Sequence, residues 1–321
     1  MTGFSKKVVI TGGIGYVGGR LATHLAGAAP ELSLRLLTRR AKESLPEWAR
    51  KFDVVQTPTL EQAGLAEAVE GADTVIHLAA ANEIVCQRDP ELAMEINATG
   101  TLRLLEACRE KGVGRFIYMS TFHVYGATSS DVITEDMATS PTHPYAITHR
   151  VAEDFVNAYR VNHGMATLSL RLSNGYGYPA DPDIDRWTLV FNDFCRQAIA
   201  QGQIKLASKG TQFRDFQSMT DVGRGVHHFL ALPNEEWKDG LFNFGGDCLM
   251  SIIQAAERVA EEFQTYSGRE IPVITGESED RRGASPVVFS IDKLKKTGFS
   301  PVGNMAEEIQ RTFAVCEGIP A

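Results

Sequence analysis

The sequence predicts an α/β fold in which a doubly wound parallel sheet is covered by helices. Short β-branched runs alternate with helical patterns through the first half of the chain, as in "KVVITG", "GYVGGRLATHLAGA", "LSLRLLTR", "DTVIHLAA" and "RFIYMST". Strands and helices at this spacing are typical of parallel β-α-β units. A glycine-rich turn lies directly between the first strand and the first helix, which agrees with this class.

The second half of the chain predicts a change of domain. The segment "YAITHRVAEDFVNAYRVNHG" has apolar residues at helical spacing and ends at Gly164, and "ATLSLRLSNGYG" is the strand that follows. After Gly177, prolines and acids in "YPADPDIDRW" precede a helix at "FNDFCRQAIAQG". We therefore expect residues 1–173, with part of 212–246, to form the sheet domain. Residues 174–321 should form mainly a smaller C-terminal domain.

Composition and charge exclude several classes of function. The 321 residues carry a net charge of −8, so no basic field exists to hold nucleic acid or an anionic membrane. The five cysteines never form a C-x-x-C pair, which predicts neither a zinc site nor disulfides and fits a reducing cytoplasm. We expect no signal peptide, because the amino terminus runs straight into a strand, and no apolar run approaches the ~18 residues of a membrane helix. We expect a cytoplasmic protein without a metal site.

The glycine-rich turn is "TGGIGYVGG", in which Gly12, Gly15 and Gly18 form a G-x-x-G-x-x-G pattern. Glycines there allow a tight turn and let backbone N–H groups approach a pyrophosphate at the positive end of the helix dipole. Small residues in "DTVIHLAA" let a second strand end pass close to the same diphosphate. The pattern therefore predicts a Rossmann-type dinucleotide site. Its candidate contacts are Gly12, Gly13, Ile14, Gly15, Tyr16, Val17, Gly18, Leu78, Ala79 and Ala80.

The end of the second strand predicts which dinucleotide is bound. An acid at this place would bond both ribose hydroxyls, but Thr38, Arg39 and Arg40 occupy it. An arginine accommodates a 2′-phosphate that a carboxylate would repel, so NADP(H) is favoured and NAD(H) remains possible. The alternative is a plain pair of surface arginines.

A pair of hydroxyl groups is the candidate for chemistry. The strand "RFIYMST" ends with Ser120 and Thr121, and Tyr145 follows near the start of the next helix. A hydroxyl at a strand end and a phenol on the next helix can converge on one carbonyl. The first then acts as hydrogen-bond donor, and the second acts as general acid or base.

Nine motifs follow one another along nearly the whole chain: "TGGIGYVG", "HLAA", "INATGTLRLLEAC", "STFHVYG", "PYAITHRVAE", "RLSNGYG", "GTQFRDFQSMTDV", "FNFGG" and "RRGASP…IDKLKKTGFSP". Together they resemble the extended short-chain dehydrogenases/reductases, the NAD-dependent epimerase/dehydratase family. The resemblance implies a dinucleotide-binding Rossmann-type domain, a C-terminal substrate-binding domain and an NAD(P)-dependent oxidoreductase acting on a nucleotide-linked sugar. It also implies a homodimer, in which "NATGTLRLLEACREKG" and "YAITHRVAEDFVNAYRVNHG" pair across a two-fold axis.

The resemblance implies a role for each matching residue. Thr121, with Ser120 beside it, matches the residue that polarises the substrate oxygen. Tyr145 matches the catalytic tyrosine, and Asn97 matches the asparagine that completes the relay, although Asn97 is alternatively a helix cap. Tyr145 and the residue at position 149 would also contact the cofactor. The positions matched to the sugar nucleotide are Phe122, His123, Asn174, Arg214 and Arg281.

Three places depart from the family pattern. Pro58 stands where an acid usually bonds the adenine amine, and Phe122 and His123 replace the Asp-Glu pair of the dehydratases, which makes a dehydratase unexpected. His149 replaces the lysine one helical turn after Tyr145. A histidine can donate to the nicotinamide ribose, and we expect its imidazolium to stabilise a tyrosinate at Tyr145 by about 3 kcal/mol. The alternative is a spectator histidine.

Three functions stay open at this point. The arginines after the second strand favour a keto-sugar reductase in which Thr121 holds the carbonyl and Tyr145 protonates the alkoxide. A nucleotide-sugar epimerase with tightly bound NAD is the first alternative. A cofactor-binding regulatory protein without turnover is the second, and His149 is its only support.

Overall fold

The computed structural model describes residues 6–57, 62–128, 130–184, 186–278 and 286–318. Pro58 and Arg281, two positions singled out from the sequence, lie outside the described residues. The chain divides into two compact units, each taken over its described residues. The first unit comprises Met1–Thr128, Glu135–Leu172 and His227–Asn243, and the second comprises Ser129–Thr134, Ser173–Val226 and Phe244–Ala321.

The described residues of both units form the following strands and helices, given in chain order. The strands are β1 (Lys7–Thr11), β2 (Ser33–Thr38), β3 (Asp53–Gln56), β4 (Thr74–His77), β5 (Arg115–Thr121), β6 (Val132–Ile133), β7 (Ala166–Leu172), β8 (Asn174–Tyr176), β9 (Ile204–Lys205), β10 (Phe213–Ser218), β11 (Leu241–Phe244), β12 (Leu249–Ser251), β13 (Val273–Ile274) and β14 (Val288–Phe289). The α-helices are α1 (Tyr16–Ala28), α2 (Gln62–Ala68), α3 (Glu83–Arg88), α4 (Pro90–Ala93), α5 (Gly100–Glu110), α6 (Pro144–His163), α7 (Val190–Gln201), α8 (Met219–Ala231), α9 (Ile252–Ser267), α10 (Asp292–Lys295) and α11 (Met305–Glu317). A π-helix, Met94–Thr99, joins α4 to α5.

The predicted doubly wound parallel sheet is confirmed. Its seven strands lie in the order β11-β7-β5-β4-β1-β2-β3, so the strand order reverses at β1. Parallel pairing aligns Thr11 with His77 and His77 with Tyr118, which places these three polar residues in one row across β1, β4 and β5. In a sheet of this kind, ligands bind beyond the carboxyl ends of the strands where the order reverses. The β1 and β4 ends are therefore the place to look for a site.

Local sequence explains the bounds of the helix after β5. Pro144 is at the first position of α6, where its missing N–H costs nothing, and the His143 ring accepts a hydrogen bond from the Tyr145 amide at 3.2 Å. Gly164 ends the helix with a left-handed φ of 67°. Tyr145 consequently lies in the first turn of α6, as predicted.

Each unit has its own hydrophobic core. The first core is built from β-branched and aromatic strand residues packed against α5 and α6, including Val9, Val75, Phe116, Leu104 and Val156. The second includes Phe191, Phe194, Phe216, Phe263 and Phe313. Among the described helices, none combines the length and apolar character needed to cross a membrane.

Candidate active site

The glycine-rich turn has the geometry of a close backbone approach. Gly12 has a φ of 65°, a conformation that favours glycine, and a Cβ there would lie 3.0 Å from the Ala79 amide nitrogen. A Cβ at Gly18 would collide with the Gly12 carbonyl oxygen. No side chain caps the amino terminus of α1. This cradle fits a dinucleotide pyrophosphate.

A buried histidine, His77, fixes the strand end that lies against the glycine-rich turn. It was not identified as a functional residue from the sequence. The Thr11 hydroxyl oxygen accepts the amides of Leu78 and Ala79, each at 3.1 Å, so its own hydrogen is donated to His77 Nδ1 at 2.6 Å. His77 Nε2 lies 3.0 Å from the Thr101 hydroxyl oxygen. Burial lowers the pKa of His77 to about 3, so the ring is neutral. These bonds fix Leu78 and Ala79 against the glycine turn.

The arginines predicted to choose the dinucleotide lie directly after β2. Strand β2 ends at Thr38, whose hydroxyl oxygen accepts the Arg40 amide at 3.1 Å. Arg39 is exposed and Arg40 half-buried, and neither forms an ion pair with a described residue. By contrast, Arg35 within the strand is paired with Asp53 at 2.6 Å. Two guanidinium groups without an ion pair to any described residue therefore lie at the end of the strand.

Both the oxygen and the nitrogen of the Asn97 side chain are hydrogen-bonded within the protein. Its carbonyl oxygen accepts the Ala81 amide at 2.7 Å, and its amide donates to the Thr148 hydroxyl at 2.9 Å. Thr148 in turn donates to the Tyr145 carbonyl oxygen at 3.0 Å. The π-helix presents Asn97 at this place, and π-helical turns are frequent near functional sites. Asn97 thus fixes the first turn of α6 through its amide.

Ser120 and Thr121 have different surroundings because successive strand residues point to opposite faces of a sheet. The Ser120 hydroxyl donates to the Glu153 carboxylate at 2.6 Å, and Glu153 is paired with Arg171 at 2.8 Å. All three side chains are buried. The Ser120 hydroxyl is therefore hydrogen-bonded to a buried ion pair.

The Thr121 hydroxyl makes one hydrogen bond within the described residues. Its hydroxyl oxygen accepts the His123 amide at 3.2 Å, which caps the short turn Phe122–Tyr125 after β5. The hydroxyl hydrogen has no acceptor among the described residues. Thr121 is 5 % exposed, so this donor lies at a nearly dry position.

A cluster of aromatic rings surrounds Tyr145. The His149 ring lies edge-to-face with Tyr145 at 4.5 Å between centroids, and the His123 ring lies edge-to-face with it at 6.2 Å. Phe122 lies 4.1 Å from His123. The structure thus brings together four residues that the sequence singled out, and Thr121 directly precedes two of them in the chain.

His149 corrects one expectation. Its Nδ1 lies 2.6 Å from the Tyr118 hydroxyl oxygen, and its Nε2 has no hydrogen-bond partner among the described residues. The ring is 3 % exposed, and burial lowers its pKa to about 3, with His77 and His123 acting in the same direction and Glu83 opposing them. The expected imidazolium charge at this position is therefore wrong, because desolvation keeps the ring neutral. A buried polar atom without a partner fits a site for a hydroxyl-bearing ligand.

Two of the predicted sugar-nucleotide contacts belong to the second unit. The Asn174 amide donates to the Asp215 carbonyl oxygen at 2.9 Å, and Arg214 donates to the Gln212 side chain at 2.9 Å. The Asp215 carboxylate accepts the amides of Gly246 and Cys248, while burial raises its pKa to about 6. Asn174 thus joins β8 to β10, and Arg214 lies in the same small sheet.

Comparison with known proteins identifies the family to which the chain is similar. Residues 8–245 match the model of the NAD dependent epimerase/dehydratase family. A Bacillus subtilis (strain 168) protein named as an uncharacterized UDP-glucose epimerase, YtcB, is 30% identical over 281 residues, which cover 82% of this chain and 83% of that protein. The UDP-glucose 4-epimerase of Streptomyces lividans is 27% identical over 317 residues, covering 92% of each chain.

Solved structures agree on the fold. The structure of Thermus thermophilus UDP-glucose 4-epimerase in complex with NAD superposes with a TM-score of 0.79 at 24% sequence identity. The match covers 98% of this chain and 100% of that chain. At this identity the similarity shows the Rossmann-type fold.

Proposed function

The chain belongs to the NAD dependent epimerase/dehydratase family, and from this premise we propose that it epimerises a nucleotide-linked sugar with a bound nicotinamide dinucleotide. The observation that carries the proposal is the polar set at the end of β5 and the start of α6. There Thr121 keeps an unused hydroxyl hydrogen, and Tyr145 packs on a neutral His149 whose Nε2 has no partner among the described residues.

The protein's own groups divide the work. When bound, the nicotinamide would accept a hydride from the sugar carbon and later return it. Thr121 donates a hydrogen bond to the sugar oxygen, and Tyr145 takes the proton from that oxygen and later gives it back. Gly12–Gly18, Leu78, Ala79 and Ala80 would hold the pyrophosphate, and His149 would hold a ribose hydroxyl. Asn174 and Arg214 are the proposed contacts of the nucleotide, within a substrate-binding region formed mainly by residues 174–321.

Epimerisation is the outcome that the site supports best. Elimination of water needs a general acid and a general base beside the sugar, and the Asp-Glu pair that the resemblance associates with dehydratases is replaced here by Phe122 and His123. The two curated relatives described above are both named as UDP-glucose epimerases. An internal oxidation and reduction also requires no second substrate.

The test uses the purified protein without added cofactor. It is incubated separately with UDP-glucose, UDP-N-acetylglucosamine and dTDP-glucose, the products are separated by chromatography, and nicotinamide is quantified after denaturation. We expect an epimer of one sugar and retained NAD. Cofactor binding without conversion of any sugar would instead support the regulatory-protein alternative, and no dinucleotide binding at all would overturn the proposal.

A second candidate, the NADP(H)-dependent keto-sugar reductase, has one specific observation in its favour. Arg39 and Arg40 lie after β2 without an acidic partner among the described residues, which suits a 2′-phosphate. Net reduction needs a cofactor that exchanges in each cycle. Steady oxidation of added NADPH in the presence of a nucleotide-linked keto-sugar would establish it.

We also propose a homodimer and a reducing location. Exposed apolar side chains lie on α6 and on the helices around Asn97, namely Ile84, Leu92, Met94, Ile147 and Val161. Light scattering should give twice 35.1 kDa at micromolar concentration.

All five cysteines are free, which suits a cytoplasmic protein. Fractionation of the native cells would test this location.

A further inference from the structure

Tyr118 and His149 form an isolated buried pair. Tyr118 is 2 % exposed, and its hydroxyl oxygen lies 2.6 Å from His149 Nδ1. The hydroxyl has no other hydrogen-bond partner among the described residues. Burial raises the pKa of Tyr118, and the Glu153 and Tyr145 charges act in the same direction, so the hydroxyl keeps its hydrogen. The pair therefore holds two neutral groups joined by one hydrogen bond.

The position of the hydrogen in this bond decides the tautomer of His149. If the phenol donates, one hydrogen bond is made and the Nε2–H is left for another partner. If instead Nδ1–H donates, the phenol hydrogen has no acceptor and the Nε2 lone pair has no donor. The second arrangement leaves two buried polar groups unsatisfied, and each is costly to leave so. The first arrangement is favoured.

We propose that Tyr118 is a positioning residue that holds His149 as the neutral Nε2–H tautomer, and that this N–H donates to a hydroxyl oxygen of the bound dinucleotide. The inference rests on the proposed function, because it assumes the dinucleotide beside Tyr145. It assigns Tyr118 a role that the sequence pattern did not. In place of a flexible cation, the chain has a rigid, uncharged donor whose direction is fixed by a tyrosine on β5.

The first test reads the tautomer in the cofactor-free protein. Nitrogen-15 NMR of the histidine side chains distinguishes a nitrogen that carries hydrogen from one that does not. In the wild type we expect His149 to show hydrogen on Nε2 and a bare Nδ1. In Tyr118→Phe we expect a mixture of both tautomers. Tyr159 is also on α6, and its hydroxyl is bonded to Glu106 on α5, so Tyr159→Phe should leave the His149 signals unchanged.

The second test measures NAD⁺ binding to the same proteins by calorimetry. Tyr118→Phe should weaken NAD⁺ binding about 3- to 10-fold, as expected for one misdirected neutral hydrogen bond, and Tyr159→Phe should not. A wild-type His149 with hydrogen on Nδ1 would overturn the inference, as would unchanged NAD⁺ affinity in Tyr118→Phe. Failure of the wild type to bind NAD⁺ or NADP⁺ would instead contradict the proposed function.

Discussion

The first unit contains two buried histidines that share their charge and the kind of partner at Nδ1 but differ at Nε2. His77 and His149 are both neutral with a pKa of about 3, and both have Nδ1 at 2.6 Å from a hydroxyl, Thr11 in one case and Tyr118 in the other. They differ at Nε2. His77 Nε2 is bonded to Thr101, whereas His149 Nε2 has no partner in the part of the chain that the structure describes.

This difference separates a histidine that is fully paired within the described residues from one whose Nε2 we propose to be paired by the dinucleotide. A buried polar group is normally paired within the protein, because an unpaired one costs about 1–3 kcal/mol. His77 meets this rule and ties the Leu78 and Ala79 turn to the sheet. His149 breaks it beside Tyr145, where the proposed dinucleotide would supply the missing acceptor. Four measurements would break or sharpen the contrast.

The largest effect should come from replacing the phenol of Tyr145, which packs on His149. Tyr145→Phe removes the group that exchanges a proton with the sugar oxygen, so turnover should fall by about 10²- to 10⁴-fold while NAD⁺ binds as in the wild type. Steady-state kinetics and calorimetry on one preparation would show it. Tyr159→Phe is the matched control and should keep full activity. Full activity in Tyr145→Phe would remove the chemistry from this site.

For His77, the variant Thr101→Val should lower the free energy of unfolding by about 1–3 kcal/mol, because it leaves the buried His77 Nε2–H without an acceptor. NAD⁺ affinity should change less than twofold. Urea unfolding followed by circular dichroism measures the first quantity. Thr101→Ser retains the hydroxyl and should be milder, and equal losses in both variants would point to packing instead of the hydrogen bond.

The pH dependence of stability should report both rings. Each folded-state pKa is about 3 against an ordinary value of 6.5, so the unfolded chain binds more protons between these values. Stability is therefore present above about pH 6.5 and is lost as the pH falls, by up to about 1.4 kcal/mol per pH unit for each histidine.

The double variant Tyr118→Phe/His149→Leu removes one of these two titrations. Its slope of unfolding free energy against pH, measured by urea unfolding between pH 7 and 5, should be smaller than that of the wild type by up to about 1.4 kcal/mol per unit. Equal slopes would mean that His149 titrates normally in the folded protein.

The smallest effect concerns the arginines, where the same contrast of paired and unpaired groups recurs. Changing Arg39 and Arg40 together to alanine should weaken NADP⁺ binding about 5- to 10-fold, because an exposed charge contact is worth about 1 kcal/mol. NAD⁺ affinity should stay within twofold. Arg35→Ala breaks the pair with Asp53 and should leave the NADP⁺/NAD⁺ ratio unchanged. A similar ratio in all three proteins would leave the arginines without a role in cofactor choice.

The sequence was most informative where a local pattern decides the structure. The apolar run "RFIYMST" coincides with β5, and proline and glycine delimit α6. The sequence also allows the prediction that Ser120 and Thr121 point to opposite faces of the sheet, because side chains alternate along a strand. The π-helix at Asn97 was not, because one extra residue per turn leaves no trace in a short helical pattern.

The tertiary contacts of His149 lay beyond the sequence. Tyr118 is 31 positions away, and only the packing of α6 on β5 brings the two together. The same packing removes water from the ring, so the ring lacks the positive charge expected from the sequence. His77 was missed for a related reason, since a histidine at the end of a buried strand gives no local sign of whether its nitrogens are paired.

The most direct test of the account is an NMR titration of the wild-type protein with NAD⁺, following the Nε2 protons of both histidines. We expect the His149 Nε2 proton to shift strongly and to exchange more slowly with water at saturation, because it gains an acceptor. The His77 Nε2 proton, already bonded to Thr101, should shift little and serves as the internal reference. Saturation with NAD⁺ that leaves the His149 proton where it was would contradict the claim that its unpaired Nε2 binds the dinucleotide.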